Sequence, residues 1–141
     1  LHTPPGHPAT PGAILGHEYV ATLLDAGDGG LVINISSIAG VTAMGSNIAY
    51  CASKAAMNTM TMSLARALAP RIRVVSLSPG LAETDFVTGL DQAWWDEQSR
   101  RTPLQRLARP EDVAQAALAI ATSLKFSNGS IIPVDGGRPL T

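Results

Sequence analysis

Little in this chain is aromatic, charged or sulphur-bearing. Phe, Trp and Tyr make up 4% of its 141 residues and charged residues 15%, with a net charge of −1. There is no basic stripe to neutralise phosphates, which argues against a nucleic-acid partner. The single cysteine, Cys51, cannot form an internal disulfide, so the expected compartment is the reducing cytoplasm. No apolar run approaches the roughly 20 residues of a membrane-spanning helix, and no membrane partner is expected. His2, His7 and His17 have neither metal-ligand spacing nor acidic or thiol companions, so no metal site is expected. The opening residues show no basic region leading into an apolar one, so they are not expected to be a secretory signal.

What is present suits one globular domain. Hydrophobic residues make up 45% of the chain, enough for a core at a length near the usual domain size of about 100–150 residues. Residues 1–12 begin with Leu1 and are rich in Pro, Gly and His, and they read as an irregular or non-native segment. From residue 13 onward, elements alternate. Residues 14–24 have apolar positions at helical spacing. The run 31–36 is β-branched and nearly continuously apolar, the pattern of a strand covered on both faces. A loop is expected over 38–47. A long Ala- and Met-rich helix follows over 49–68, with small residues on several faces, so packing on more than one side is expected. A second strand covers 72–78, and a helix over 91–101 has Asp91 as its N-cap. The next helix opens at Pro110 with acids in its first turn and runs to about residue 124. The turn Asn128-Gly129 leads into a last strand over 130–134. Strands alternating with helices predict an α/β fold with a parallel sheet.

Tyr50 and Lys54 are four residues apart on a predicted helix and share one face. A lysine cation beside a phenol favours the phenolate, which would make the tyrosine a usable general acid–base near neutral pH. Ser37 ends the preceding strand, where its hydroxyl can reach the same substrate oxygen. Active sites of open α/β sheets lie outside the carboxyl ends of the strands, and Pro79-Gly80 ends the next strand on that same edge. Taken alone, a Tyr-x-x-x-Lys spacing is common by chance; the order of the surrounding blocks gives it weight.

Those blocks are Asn34-Ile-Ser-Ser37-Ile-Ala-Gly40, Tyr50-Cys-Ala-Ser-Lys54-Ala-Ala56, Ile72-Arg73-Val74, Pro79-Gly-Leu-Ala-Glu-Thr84, Pro103-Leu-Gln-Arg106, Arg109-Pro-Glu-Asp-Val113 and Val134-Asp-Gly-Gly137. In order and spacing they resemble the short-chain dehydrogenase/reductase family, and among its members those similar to 3-oxoacyl-acyl-carrier-protein reductases. The resemblance implies the C-terminal half of a Rossmann-type doubly wound parallel sheet, about three strands with flanking helices, occupying residues 13–141 with the N-terminal strands missing. It implies an NAD(P)-dependent oxidoreductase acting on a small alcohol or carbonyl substrate, assembled as a homodimer or homotetramer. Tyr50 would be the acid–base, Lys54 would assist it and hold the nicotinamide ribose, and Ser37 would polarise the substrate oxygen. Pro79, Gly80, Leu81 and Ala82 would meet the nicotinamide, and Thr84 its carboxamide or the pyrophosphate.

The chain also departs from the family pattern. The Gly-rich strand–turn–helix that seats a dinucleotide pyrophosphate is absent from these 141 residues, as is the residue that selects NAD or NADP. The position of a helix asparagine that many members use in proton relay falls on Ala9, beside Pro11. Asn34 is expected to be a structural hydrogen-bonding residue. Without the missing strands, the 31–36 strand is expected to expose an edge that invites association. Among the remaining residues, Cys51 reads as a buried packing residue and Met57, Met60 and Met62 as helix packing. Phe86, Trp94 and Trp95 fall in the substrate-lid segment, where core packing is an equal alternative. Arg106 and Arg109 read as structural or interfacial, and Asp135-Gly136-Gly137 as a turn.

Overall fold

The computed structural model describes residues 29–82 and 91–140. Strand β1 (Gly30–Ile35) is followed by helices α1 (Ala39–Thr42) and α2 (Ile48–Leu68). Strand β2 (Ile72–Pro79), helices α3 (Gln92–Arg100) and α4 (Pro110–Thr122), strand β3 (Ile131–Val134) and a 3-10 turn (Arg138–Leu140) complete the order. The expected helix over 14–24 lies outside the described residues.

The three strands form one parallel sheet in the order β1-β2-β3. The central strand is the most apolar, as a strand covered on both faces must be: Ile72, Val74, Val75 and Leu77 are each at most 1% exposed. Period-2 alternation sends Ile72 and Val74 toward α2, where they pack with Ala65, Val32, Leu64 and Leu68. Val75 and Leu77 go to the opposite face, against Ile120 of α4 with Leu31, Ile33 and Ile132. Side-chain polar groups tie the layers. Arg73 donates to the carbonyls of Ile120, Leu124 and Ser127, satisfying the open end of α4. Asn128 accepts from the Val74 amide at 2.8 Å and donates to the Ala65 carbonyl at 3.0 Å.

One expectation needs correction, and the others gain detail. The 38–47 stretch is not all loop: Ala39–Thr42 form one helical turn, closed by Ala43 in a left-handed conformation (φ 57°). Helix α2 is buried along one flank, at Cys51, Asn58, Thr61 and Ala65, while Ala49, Ala52, Ala55 and Ala56 are exposed. Among the described residues, this helix packs on the sheet and against the Ala39–Thr42 turn, and its small side chains leave the alanine flank free to pack elsewhere. Met62 lies on the open flank at 44% exposure, unlike the half-buried Met57 and Met60. Strand β1 has apolar contacts on both faces, yet Ile35 at its carboxyl end is 47% exposed. Elsewhere the pattern reading agrees. Cys51 is buried, the Asp91 carboxylate caps α3 through the Trp94 amide, and Gly136 and Gly137 take positive φ in the final turn. Trp94 and Trp95 are half-buried and meet edge to face, with ring centroids 4.9 Å apart.

Two outcomes follow from this architecture. Arg106 grips Asp112 with two hydrogen bonds of 2.6 and 2.8 Å, and the Arg109 amide adds another at 2.8 Å. Chiefly through Arg106, the Asp112 carboxyl is held at about 2. An unfolded aspartate titrates near about 3.9, so this pairing stabilises the fold above that value and is lost as pH falls toward about 2. Urea unfolding from pH 5 to pH 2 should therefore be less pH-dependent in Asp112→Asn than in the parent. Among the described residues, β1 pairs only with β2, leaving its other edge open. The purified chain should associate or dissolve poorly, and a monodisperse monomer in sedimentation velocity would count against this.

Candidate active site

The site is built where β1 leaves the sheet. The chain stays beside β2 beyond the strand itself: the Ser36 amide donates to the Leu77 carbonyl at 2.7 Å and the Ile38 amide to the Pro79 carbonyl at 3.0 Å. Ser37 is thereby held at the carboxyl edge of the sheet. Its Oγ accepts from the Ala39 amide at 3.2 Å and its carbonyl from the Gly40 amide at 3.0 Å, so serine and turn form one unit.

Helix α2 supplies the other two groups. Asn47 caps it by accepting from the Tyr50 amide at 2.8 Å, which fixes the first turn and with it the bearing of Tyr50. Lys54 lies one turn later, with its Nζ 5.6 Å from the centre of the Tyr50 ring. The same Nζ donates to the Ile35 carbonyl at 2.8 Å, at the end of β1. Partial burial pushes the Lys54 ammonium below the ordinary lysine value. Ser36 Oγ donates to the Lys54 carbonyl at 3.2 Å, joining strand end and helix through the backbone as well. Sequence proximity of Ser37 to Ser36, together with these bonds, brings Ser37, Tyr50 and Lys54 to one edge.

The close approach of turn and helix requires glycine at position 40. A Cβ built there would lie 2.6 Å from the Lys54 carbonyl carbon and 2.9 Å from both the Ala55 nitrogen and Lys54 Cβ. Beneath it runs a buried polar layer. Asn34 donates to Thr61 Oγ1 at 2.8 Å, as its structural reading anticipated. Asn58 donates to the Gly40 carbonyl at 3.4 Å and accepts from Ser76 Oγ at 3.3 Å. Sequence reasoning assigned no role to Asn58 or Thr61. The sequence does not single them out, because the exposed Thr59 lies between them on the same helix with the same low helix propensity.

The segment after β2 is anchored on the β3 side. Gly80 donates to the Val134 carbonyl at 3.0 Å, and a Cβ there would meet Asp135 Cα at 2.9 Å. The Leu81 carbonyl accepts from the Ala108 amide at 3.1 Å, and Ala82 bridges Ala108 in parallel. Pro79, Gly80, Leu81 and Ala82 thus run along the edge that carries Ser37. Thr84 and Phe86 lie outside the described residues, as do Ala9 and the three histidines. A cavity of about 610 Å³ opens between α4 and β3, bordered by Ala108, Val134 and Asp135, the residues that anchor the segment after β2. A second, of about 420 Å³, is bordered by Ile38, Thr42, Met44, Arg101 and Arg138. Ile38 of this second cavity adjoins Ser37 in sequence.

Residues 9–138 match the family model described as enoyl-(acyl carrier protein) reductase. The chain belongs to the short-chain dehydrogenase/reductase family. Within this family, cis-4-hydroxycyclohexanecarboxylate dehydrogenase of Sinomonas cyclohexanicum is 36% identical over 128 residues, covering 89% of this chain and 51% of that protein. The 3-oxoacyl-[acyl-carrier-protein] reductase of Aquifex aeolicus is 36% identical over 110 residues, covering 77% of this chain and 44% of that protein. The structure of a short-chain type dehydrogenase/reductase from Mycobacterium ulcerans superposes with a TM-score of 0.85 at 31% identity, covering 94% of this chain and 50% of that one. The chain spans about half the length of these relatives.

Gly40 offers a direct test of the geometry. Gly40→Ala should lower unfolding free energy by about 1–3 kcal/mol, the usual cost of forcing an extra carbon into a packed contact, as read by urea denaturation. A neutral substitution would show that turn and helix do not meet as described.

Proposed function

We propose that this chain carries the proton-transfer centre of an NAD(P)-dependent oxidoreductase that interconverts an alcohol and a ketone. The observation that carries the reading is the Lys54 ammonium between the Tyr50 ring and the end of β1, on the edge occupied by Ser37. Tyr50 Oη holds the proton that passes to the substrate oxygen in reduction and is recovered in oxidation. Ser37 Oγ, fixed by the Ala39 amide, orients that oxygen. Lys54 keeps a positive charge beside the phenol.

The residues at this edge suit the nicotinamide end of a dinucleotide. Lys54 has ammonium donors beyond the one given to Ile35, and Pro79, Gly80, Leu81 and Ala82 offer backbone along the same rim, with Thr84 two residues further on in sequence. The cofactor supplies hydride chemistry when bound. The 141 residues contain no Gly-rich turn for its pyrophosphate. The exposed alanine flank of α2 favours a second reading, a non-catalytic module that associates through this helix. The same flank supports a homodimer or homotetramer under either reading. The half-buried Trp94 and Trp95, with Phe86 nearby in sequence, favour a small apolar alcohol or carbonyl substrate.

Fluorescence titration with NADH and NADPH, alongside turnover of a ketone panel, separates the readings. The first expects nicotinamide binding and turnover. Tyr50→Phe should then cut turnover by about 10²–10⁴-fold, the range of acid–base contributions, with cofactor binding retained. Lys54→Ala should damage both. Equal activity of parent and Tyr50→Phe would overturn the assignment, while a folded chain that binds neither nucleotide supports the second reading.

A further inference from the structure

The polar layer beneath the site contains one residue that touches both the serine turn and the central strand. Asn58 is 4% exposed and lies one turn beyond Lys54 on the buried flank of α2. Its Nδ2 donates to the Gly40 carbonyl at 3.4 Å and its Oδ1 accepts from Ser76 Oγ at 3.3 Å. Asparagine is a poor helix former, and burying its amide is costly unless both ends are paired. Here both ends are paired, one to each neighbouring structure. The Gly40 carbonyl belongs to the turn whose amides at Ala39 and Gly40 hold Ser37, and Gly40 itself presses on the Lys54 backbone.

We propose that Asn58 is a positioning residue: by fixing the Gly40 carbonyl against β2, it sets where Ser37 stands relative to Tyr50 and Lys54. The inference rests on the oxidoreductase reading for its catalytic consequence, and on geometry alone for its structural one. Asn58 does not touch substrate. It acts through the 37–40 turn, so its loss should loosen that turn while the helix remains packed. Both bonds are longer than the usual hydrogen-bond distances, so the turn should yield before the fold does.

The test uses the full chain with Asn58→Leu/Ser76→Ala, in which both partners become apolar and no buried hydroxyl is orphaned. Amide hydrogen exchange should speed up at Ala39 and Gly40 by about tenfold or more, with the thermal midpoint and exchange in β2 little changed. This readout needs no turnover, so it remains decisive even if the oxidoreductase reading fails. Where turnover is measured, kcat should fall about tenfold, as expected for a small misplacement of a catalytic group, with KM for the cofactor unchanged. In a Ser37→Ala background, adding Asn58→Leu/Ser76→Ala should produce little further loss. Unchanged exchange at Ala39 and Gly40 would overturn the proposal. So would a kcat loss that multiplies in full with that of Ser37→Ala, since Asn58 would then act independently of the serine.

Discussion

The arrangement depends on the hydrogen bond between Asn34 and Thr61. These residues are 27 positions apart, both are at most 6% exposed, and the bond is 2.8 Å long. It is the polar contact that joins β1 to α2 deep in the layer between them. An unpaired buried amide or hydroxyl costs about 1–3 kcal/mol, so any register that separates the two is penalised at both. Because strand side chains alternate, placing Asn34 toward α2 also turns Ser36 toward it, where its Oγ meets the Lys54 carbonyl. Ser37 then follows at the sheet edge. The same bond fixes the helix: Thr61 also donates to the Met57 carbonyl, and the face it defines carries Asn58 and Lys54 one and two turns earlier.

Around that contact the site combines tolerance for close approach with partial dryness. Gly40 lets the serine turn rest directly on the Lys54 backbone, a separation no other residue permits without displacement. Lys54 is drawn part of the way out of water, which lowers its proton affinity, and its charge is met by the Ile35 carbonyl rather than by a carboxylate. A lysine in this setting stays available to a further acceptor, because one ammonium donor is committed to backbone and others remain.

Much of the fold was legible in the chain because period and punctuation agreed. Strands β1 and β2 and helices α2, α3 and α4 lie close to where apolar runs, Asp91 and Pro110 set them. The short helix α1 was not legible, since a single turn has no periodicity to read. What covers the exposed flank of α2 was not legible, for a physical reason: alanines are compatible with contact and with solvent alike, and composition does not distinguish the two. At the site, Ser37, Tyr50 and Lys54 stood out through their place in the ordered blocks around them. Asn58 and Thr61 did not, because a buried polar pair declares itself only when the partner across the layer is known.

The central claim is that the polar pairing between β1 and α2 holds the serine turn and the Tyr50–Lys54 helix as one unit. The most direct measurement is a double-mutant cycle on Asn34→Ala and Thr61→Val by urea unfolding. Partners in one buried hydrogen-bond network couple by about 0.5–3 kcal/mol, and the account predicts a value within that range. Fully additive losses would contradict it.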